Sequence, residues 1–407
     1  MIDALGKTIT LVVTEECNFR CRYCYMVRKN SRHRMTFDMA RKAVDFFLAQ
    51  PVELPSVTWE FLGGEPLLEV ELVDQIIGYT MQRAYELDHP WFESQAYGMS
   101  SNGSLHGEPA VQRLLDRYGS RLGIGITLDG PEHVHDLERR YPDGRGTHAD
   151  VVRAIPGWLE RNPNGSTKVT ISHETLPFLA ESILYLFGLG ICTVNANVVF
   201  ENVWQPGDPE VLEEQLDQLS AVLPDGCTCS LFSRSVGNPL PSIPEGRWCG
   251  CGRYMTAVDS VGMLYPCVRF MSHSLARRLA LSIGDIWTGV DPTSLAPFEA
   301  KVPTPDKCLA CDVATGCAWC RGFDYDDTGR LDVRATYICE MHKARVRANR
   351  RHWARVDGEQ DGKDDRQSGT GGARPDPKVA PAQGRPRGAV SVVGEDATGW
   401  PLRAVGW

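Results

Sequence analysis

From Lys7 to about Phe200, short β-branched and apolar runs alternate with longer amphipathic stretches, the pattern of βα units laid on a parallel sheet. The period-2 runs predict strands near 8–14, 57–62, 95–100, 122–128, 167–172 and 191–200. Helical periodicity predicts helices between them, near 36–49, 70–87, 108–119, 147–160 and 175–187. Six such strands predict an α/β fold, a partial (β/α)6 TIM-like barrel whose strand-following loops share one face and carry the chemistry. A polar, Glu-rich helix near 209–222 leads into a Pro/Gly-rich connector from Asn238 to Gly246, after which Cys, Gly and aromatic residues dominate. The chain therefore divides into a barrel (1–205), a helical and loop connector (206–247), a small Cys-rich domain (248–345), and a basic helix end with a tail (346–407). Past about Val356 the tail is rich in Gly, Pro, Asp, Arg and Ser, with too little apolar surface to offset its chain entropy, and predicts disorder.

With 407 residues, 42% of them apolar, the chain can bury a full core. The net charge of −9 argues against a general nucleic-acid binder, because phosphate neutralisation needs a basic surface. Residues 1–14 lack a basic segment followed by an apolar block, and the stretch from Ile183 to Phe200 is broken by Gly188, Gly190, Asn195 and Asn197. Neither an export signal nor a membrane span is expected, and the location expected is the cytoplasm. Fourteen cysteines in a reducing compartment point to metal before disulfides.

Three cysteines follow the first strand as Cys17-Asn-Phe-Arg-Cys21-Arg-Tyr-Cys24. Three thiolates can hold three corners of a 4Fe-4S cube and leave the fourth iron open to a ligand, whereas an electron-carrying cluster normally has four cysteines. The competing reading is a zinc site completed by a residue such as His33. The second strand ends in Gly63-Gly64-Glu65-Pro66, the third in Ser100-Ser101-Asn102-Gly103, and the fourth in Thr127-Leu128-Asp129-Gly130-Pro131, running on to Arg139. His133, His135 and His148 lie near this last segment and read as solvated loop residues.

These segments resemble the radical S-adenosylmethionine (SAM) superfamily, in which the C-x3-C-x2-C loop, with an aromatic before its last cysteine (here Tyr23), follows the first barrel strand. The resemblance implies that Cys17, Cys21 and Cys24 hold a 4Fe-4S cluster whose open iron binds the amino and carboxylate groups of SAM. Cleavage would release a 5'-deoxyadenosyl radical. By the same resemblance Gly63, Gly64, Glu65 and Pro66 contact the methionyl amino group, and glycines suit close backbone approach. Ser100, Asn102, Thr127, Asp129 and Arg139 would line the ribose and carboxylate side.

The second half carries Cys249-x-Cys251, Gly262-x4-Cys267, Cys308-x2-Cys311-x5-Cys317-x2-Cys320 and Cys339. Zinc ribbons also use C-x2-C pairs. The arrangement resembles the SPASM extension of radical enzymes that modify peptides, except that Cys317 and Cys320 are separated by two residues where three are usual. Carried over, Cys308, Cys311, Cys317 and Cys339 would hold a distal cluster, and Cys267 and Cys320 a proximal one. Cys249 or Cys251, or both, would join the proximal site, with Cys229 as a further candidate. Three 4Fe-4S clusters are implied. The narrower likeness is to maturases of Cys-repeat precursor peptides, which make thioether links, with a ribosomally synthesised precursor as partner and ferredoxin or flavodoxin as electron donor. A sulfatase-maturing, formylglycine-forming enzyme, or another radical SAM enzyme that makes carbon–carbon crosslinks in a peptide, is the alternative. In that family an Asp follows the Gly-x4-Cys, whereas Val268 and Arg269 stand here. A non-catalytic iron-sulfur or zinc module is the third reading. Lys343, Arg345, Arg347, Arg350, Arg351 and Arg355 read as a solvated basic helix face, the sharper reading being a docking strip for an acidic leader peptide.

Overall fold

A computed structural model describes residues 6–30, 32–234, 236, 250–300, 302, 305–313, 317 and 319–368, with side chains through 358. Strands β1 (Lys7–Thr14), β2 (Val57–Gly63), β3 (Gln95–Ser101) and β4 (Leu122–Ile126) pair in parallel and in sequence order. Strands β5 (Ser166–Ile171), β6 (Thr193–Val198) and β7 (Thr228–Cys229) form a second parallel set. A parallel bridge between Thr127 and Lys168, with the Leu128 amide donating to the Lys168 carbonyl at 3.2 Å, joins the two sets. The six expected strands are present, each within about two residues of its sequence-read ends.

Helices α1 (Phe37–Leu48), α2 (Val70–Glu86), α3 (Pro109–Tyr118), α4 (Glu132–Glu138), α5 (His148–Arg161) and α6 (Leu179–Gly188) fill the crossovers. Of these, the short α4 was not legible as a helix. Strand alternation separates two faces. Ile9, Leu11, Trp59, Phe61, Tyr97, Met99 and Ile124 pack outward in one core with α1–α3 residues such as Val44 and Ile76. Inward positions Ser100, Thr127, Lys168, Thr170 and Asn197 face a cavity instead. That polar inner face is what makes the barrel a site rather than a filled core.

Strand β8 (Met255–Val258) pairs in parallel with β1, and β9 (Met263–Tyr265), β10 (Gly284–Asp285) and β11 (Gly289–Val290) extend the same sheet in antiparallel fashion. The Cys-rich region is thereby stitched to the first barrel strand, and α8 (Pro292–Glu299), α9 (Asp306–Leu309) and α10 (Arg321–Thr328) follow. The expected connector helix is α7 (Asp208–Val222), and the chain beyond the Cys-rich region continues as α11 (Cys339–Ser368). That helix runs past Val356, where the composition predicted loss of order; the tail beyond 368 lies outside the described residues.

The basic strip of α11 is part-solvated, as its composition predicted, but Arg347, Arg350 and Arg351 are exposed with acidic partners already in place. Arg347 and Arg351 each reach Glu213 of α7 at 2.7 Å, and Arg351 also meets Asp217 at 2.7 Å. Arg345 donates to the Leu231 carbonyl at 2.9 Å, and buried Asn349 bridges the Ser233 amide and the Leu231 carbonyl. The acids on α7 explain the pattern: α11 is amphipathic in charge because it packs on an acidic helix, with Ala344 and Ala348 buried between them. Partly exposed pairs of this kind contribute little each, so the buried alanines and Asn349 hold the contact.

Candidate active site

The cysteine loop leaves β1 and is pinned from below by backbone bonds, with the Arg20 amide on the Arg140 carbonyl at 2.7 Å and the Arg22 amide on the Glu138 carbonyl at 2.9 Å. Cys17 is buried, and Cys21 and Cys24 are half-buried. All three line one cavity of about 940 Å³, counting its open mouth. Burial, and next Glu65, pushes the Cys17 thiol up to about 12; burial pushes Cys21 up to about 11. Without metal these are neutral thiols, and a metal must displace their protons to bind. Among the described residues no three His, Cys, Asp or Glu side chains converge on a single-ion site. Three cysteines lining one cavity, beside a glycine pair that leaves room for a small ligand, would hold a 4Fe-4S cluster with one iron open to that ligand. His33 is turned away, mostly exposed and paired with Glu15 at 3.0 Å, so it is no fourth ligand.

The Gly-Gly-Glu segment lies against this loop. The Gly64 amide donates to the Thr14 carbonyl at 3.0 Å, and the Glu65 amide to the Glu16 carbonyl at 2.9 Å. A Cβ on Gly64 would stand 2.0 Å from the Glu16 oxygen and 2.8 Å from the Cys17 Cβ. Only glycine permits that approach. Glu65 is buried; its carboxylate accepts from the Asn102 amide at 2.7 Å, the Ser101 hydroxyl at 2.9 Å and the Leu67 amide at 3.1 Å. It thus ties the second loop to the third, and burial pushes its carboxyl up.

Gly63, Gly64, Glu65, Ser100, Asn102, Thr127, Arg139 and Tyr23 all line the cavity with the cysteines. Pro66 and Asp129 stand behind the wall. Pro66 opens a short 3-10 turn. Buried Asp129 accepts from the Tyr23 hydroxyl and, at 2.9 Å, from the Thr170 amide. Arg139 donates to the Tyr23 oxygen at 2.8 Å and lies 4.0 Å from Asp129. This buried triad fixes the Tyr23 ring beside Cys24. His135 is fully buried rather than solvated, accepting from the Asp129 amide at 3.2 Å and meeting the Thr147 hydroxyl at 3.0 Å. His133 stays largely exposed near Glu181, and His148 meets the Tyr185 hydroxyl at 3.0 Å.

The rest of the lining was not legible: Tyr25, Lys168, Thr170, Asn197, Phe200, Glu201 and Phe323. Burial lowers the Lys168 amine to about 8 and pushes the Glu201 carboxyl up. Phe323 comes from α10, stacks on Phe200 with ring centroids 5.7 Å apart, and carries the Arg269 guanidinium 3.6 Å from its own centroid. The Tyr337 hydroxyl donates to the Phe200 carbonyl at 2.7 Å. The Cys-rich region therefore completes the cavity that the barrel opens. The alternation of β5 and β6 was the only signal that could have found Lys168 and Asn197.

Among the other cysteines, Cys251 and Cys267 are buried near β8 and β9, where the Gly252 amide donates to the Pro266 carbonyl at 3.0 Å. Cys317 is pushed up to about 11, chiefly by burial, with Cys339 and Cys308 adding to the shift. Cys308, Cys317 and Cys339 thus lie within charge range of one another, although they are far apart in sequence. The Cys311 amide donates to the Cys308 carbonyl at 3.3 Å, and Cys320 precedes α10. Cys249 lies outside the described residues. Cys229 is buried on β7 in the core of β5, β6 and α11, away from the core that holds Cys251 and Cys267, so it is not placed to join them. Cys192 is joined to Cys227 by a disulfide across the starts of β6 and β7.

Residues 11–175 match the family model of the Radical SAM superfamily. The chain carries in that stretch the cysteine loop and the Gly63-Gly64-Glu65 segment. Its parallel-sheet α/β fold is that of anSMEcpe, solved with bound AdoMet and Cp18Cys peptide, at 17% identity and a TM-score of 0.66, covering 86% of this chain and 99% of that one. It is also similar in fold to Streptococcus suis SuiB bound to precursor peptide SuiA, at 12% identity and a TM-score of 0.52, covering 82% and 76%. In sequence it is 28% identical over 200 residues to an uncharacterized protein of Methanocaldococcus jannaschii, covering 49% of this chain and 64% of that protein. The chain thus spans under two thirds of that relative's length.

Proposed function

We propose that this chain is a radical SAM enzyme that modifies a ribosomally synthesised precursor peptide, forming thioether links from Cys sulfur to carbon, with Cys17, Cys21 and Cys24 holding the SAM-binding 4Fe-4S cluster. The observation that carries this reading is the meeting of three cysteines and the Gly63-Gly64-Glu65 backbone in one cavity whose far wall is Phe323 of the Cys-rich region. When bound, the cluster and SAM supply a 5'-deoxyadenosyl radical that takes a hydrogen atom from the substrate. The chain's own residues position that chemistry: Gly63 and Gly64 let a small polar ligand approach the loop, and the Tyr23–Asp129–Arg139 triad fixes the aromatic ring beside Cys24. The Phe200–Phe323 stack bounds the substrate side and keeps water from it. Support for a peptide substrate comes from the peptide-bound states of anSMEcpe and SuiB. A ferredoxin or flavodoxin would deliver the electron.

Formylglycine formation is the weaker reading. Arg269, near the place where that family has an acid, is buried and donates to the Tyr25 carbonyl at 3.4 Å. The test is anaerobic incubation of the reconstituted protein with SAM, dithionite and a Cys-repeat peptide encoded beside its gene. The expected product has lost two hydrogen atoms and one free thiol per crosslink. An aldehyde in place of the thiol would replace this reading with the formylglycine one, and an unmodified peptide alongside 5'-deoxyadenosine would contradict both for that peptide.

In the Cys-rich region, Cys308, Cys311, Cys317 and Cys339 are proposed to hold a distal cluster, and Cys267 and Cys320, with Cys249, Cys251 or both, a proximal one. The segments they join carry few continuous apolar runs, so ligation contributes much of their folding free energy. Cys311→Ala is expected to lower iron content and make residues 250–345 protease-sensitive, leaving the barrel folded. Limited proteolysis with mass spectrometry, run anaerobically, reads this out; wild-type resistance with full iron would remove Cys311 from the ligand set.

A further inference from the structure

The segment that follows the cysteine loop is strongly basic, with Arg28, Lys29, Arg32 and Arg34 close together in sequence. Arg34 is neutralised by Glu16 and Glu69. Arg28, Lys29 and Arg32 are not: among the described residues no carboxylate oxygen comes within 4.0 Å of any of the three. Elsewhere the exposed arginines do carry acid partners, as on α11 and at Arg277, which meets Asp327 at 2.7 Å. The segment is held in place. The Arg28 amide donates to the His273 carbonyl at 3.2 Å, its guanidinium to the Ala276 carbonyl at 3.1 Å, and the Arg32 amide to the Asn30 side-chain oxygen at 3.0 Å. Arg28 and Arg32 are exposed, and Val27 beside them is 52% exposed. Lys29 lines the cavity together with Cys17, Cys21 and Cys24. Arg28 follows Cys24 by four positions, at most about 14 Å of extended chain. A chain of net charge −9 thus shows cations without acid partners, and an exposed valine, where the cysteine loop reaches the surface.

We propose that Val27, Arg28, Lys29 and Arg32 form the docking surface for an acidic electron-carrier protein, which reduces the cluster held by Cys17, Cys21 and Cys24. The inference rests on the radical SAM reading above. Charge complementarity selects the partner: at net −9 the chain as a whole repels an acidic protein, and a local positive field orients such a partner and speeds its encounter. Three cations and one apolar side chain make a small surface, the size class of transient electron-transfer encounters rather than of lasting complexes. A precursor peptide must enter the cavity, whereas Arg28 and Arg32 stand outside its lining. In the encounter one electron passes from the reduced carrier to the cluster, so the carrier is oxidised, the cluster is reduced and no atom is transferred.

The test uses full-length, cluster-reconstituted protein under anaerobic conditions, with a flavodoxin as the probe. Binding of oxidised flavodoxin is followed by its flavin fluorescence at low and high salt, and 5'-deoxyadenosine formation is measured with either reduced flavodoxin or dithionite as electron source. Two double variants are compared with wild type, Arg28→Glu with Arg32→Glu and, as the milder change, Arg28→Gln with Arg32→Gln. The expected result is flavodoxin binding weakened about tenfold or more in the Glu pair and less in the Gln pair, with a flatter salt dependence in both. The flavodoxin-driven rate falls in step, while iron content and the dithionite-driven rate stay at wild-type values. Wild-type flavodoxin affinity in the Glu pair overturns the docking surface, as do equal falls with both electron sources in the Gln pair. Unchanged flavodoxin binding with lost affinity for a Glu-rich peptide overturns it in favour of a peptide site. Wild-type protein that does not cleave SAM with dithionite overturns the radical SAM reading instead, and the binding arm still decides the docking surface.

Discussion

Replacing Cys17, Cys21 and Cys24 together by Ala is expected to abolish SAM cleavage and remove about four of about twelve iron atoms per chain, leaving the remaining iron in the Cys-rich region. The reason is local. The three thiols share one loop and one cavity, and the loop's backbone bonds to Arg140 and Glu138 do not involve sulfur. The barrel should therefore keep its fold, its core lying on the outward strand faces. Iron and sulfide analysis beside a 5'-deoxyadenosine assay reads this out. Cleavage surviving in the triple variant would refute the assignment of the active cluster.

Gly64→Ala should approach the same loss of activity through a single methyl group. The new Cβ would meet the Glu16 carbonyl oxygen at 2.0 Å and the Cys17 Cβ at 2.8 Å, and backbone cannot yield as a flexible side chain can. Separating the second loop from the cysteine loop costs on the order of 3 kcal/mol, and the Glu65 amide's bond to Glu16 goes with it. The expected outcome is a sharp fall in active-cluster iron and in SAM binding, with auxiliary iron kept. Gly107→Ala, where a Cβ meets nothing within 4 Å, serves as the matched control. Wild-type SAM affinity in Gly64→Ala would show that the close approach of these loops is dispensable.

The barrel was legible because its signals are local: period-2 runs, helical periodicity, and turns rich in Gly and Asp at the strand ends. The cysteine loop and Gly63-Gly64-Glu65 were legible for the same reason, each being a short motif after a strand. What the sequence concealed depends on contacts across the chain. Nothing in the residues around Lys168 or Glu201 says that they share a cavity with Cys24, and Phe323 reaches that cavity from a region more than a hundred positions downstream. Asp129 belongs to a motif, yet its carboxylate orients Tyr23 and Arg139 from behind the wall. The α11 arginines read as solvent-facing, and they are, but nothing near them in sequence shows that Glu213 and Asp217 of α7 stand opposite Arg347 and Arg351. His135 carried no signal of burial, because α4 is too short to show a period.

The central claim is that the cluster at Cys17, Cys21 and Cys24 binds SAM directly, and electron paramagnetic resonance of the anaerobically reconstituted, dithionite-reduced protein tests it most simply. The account predicts a reduced 4Fe-4S signal that changes when SAM is added, with the SAM-sensitive part missing from the Cys17/Cys21/Cys24→Ala variant. Zinc without sulfide, or an iron-sulfur signal that is the same with and without SAM, would contradict it.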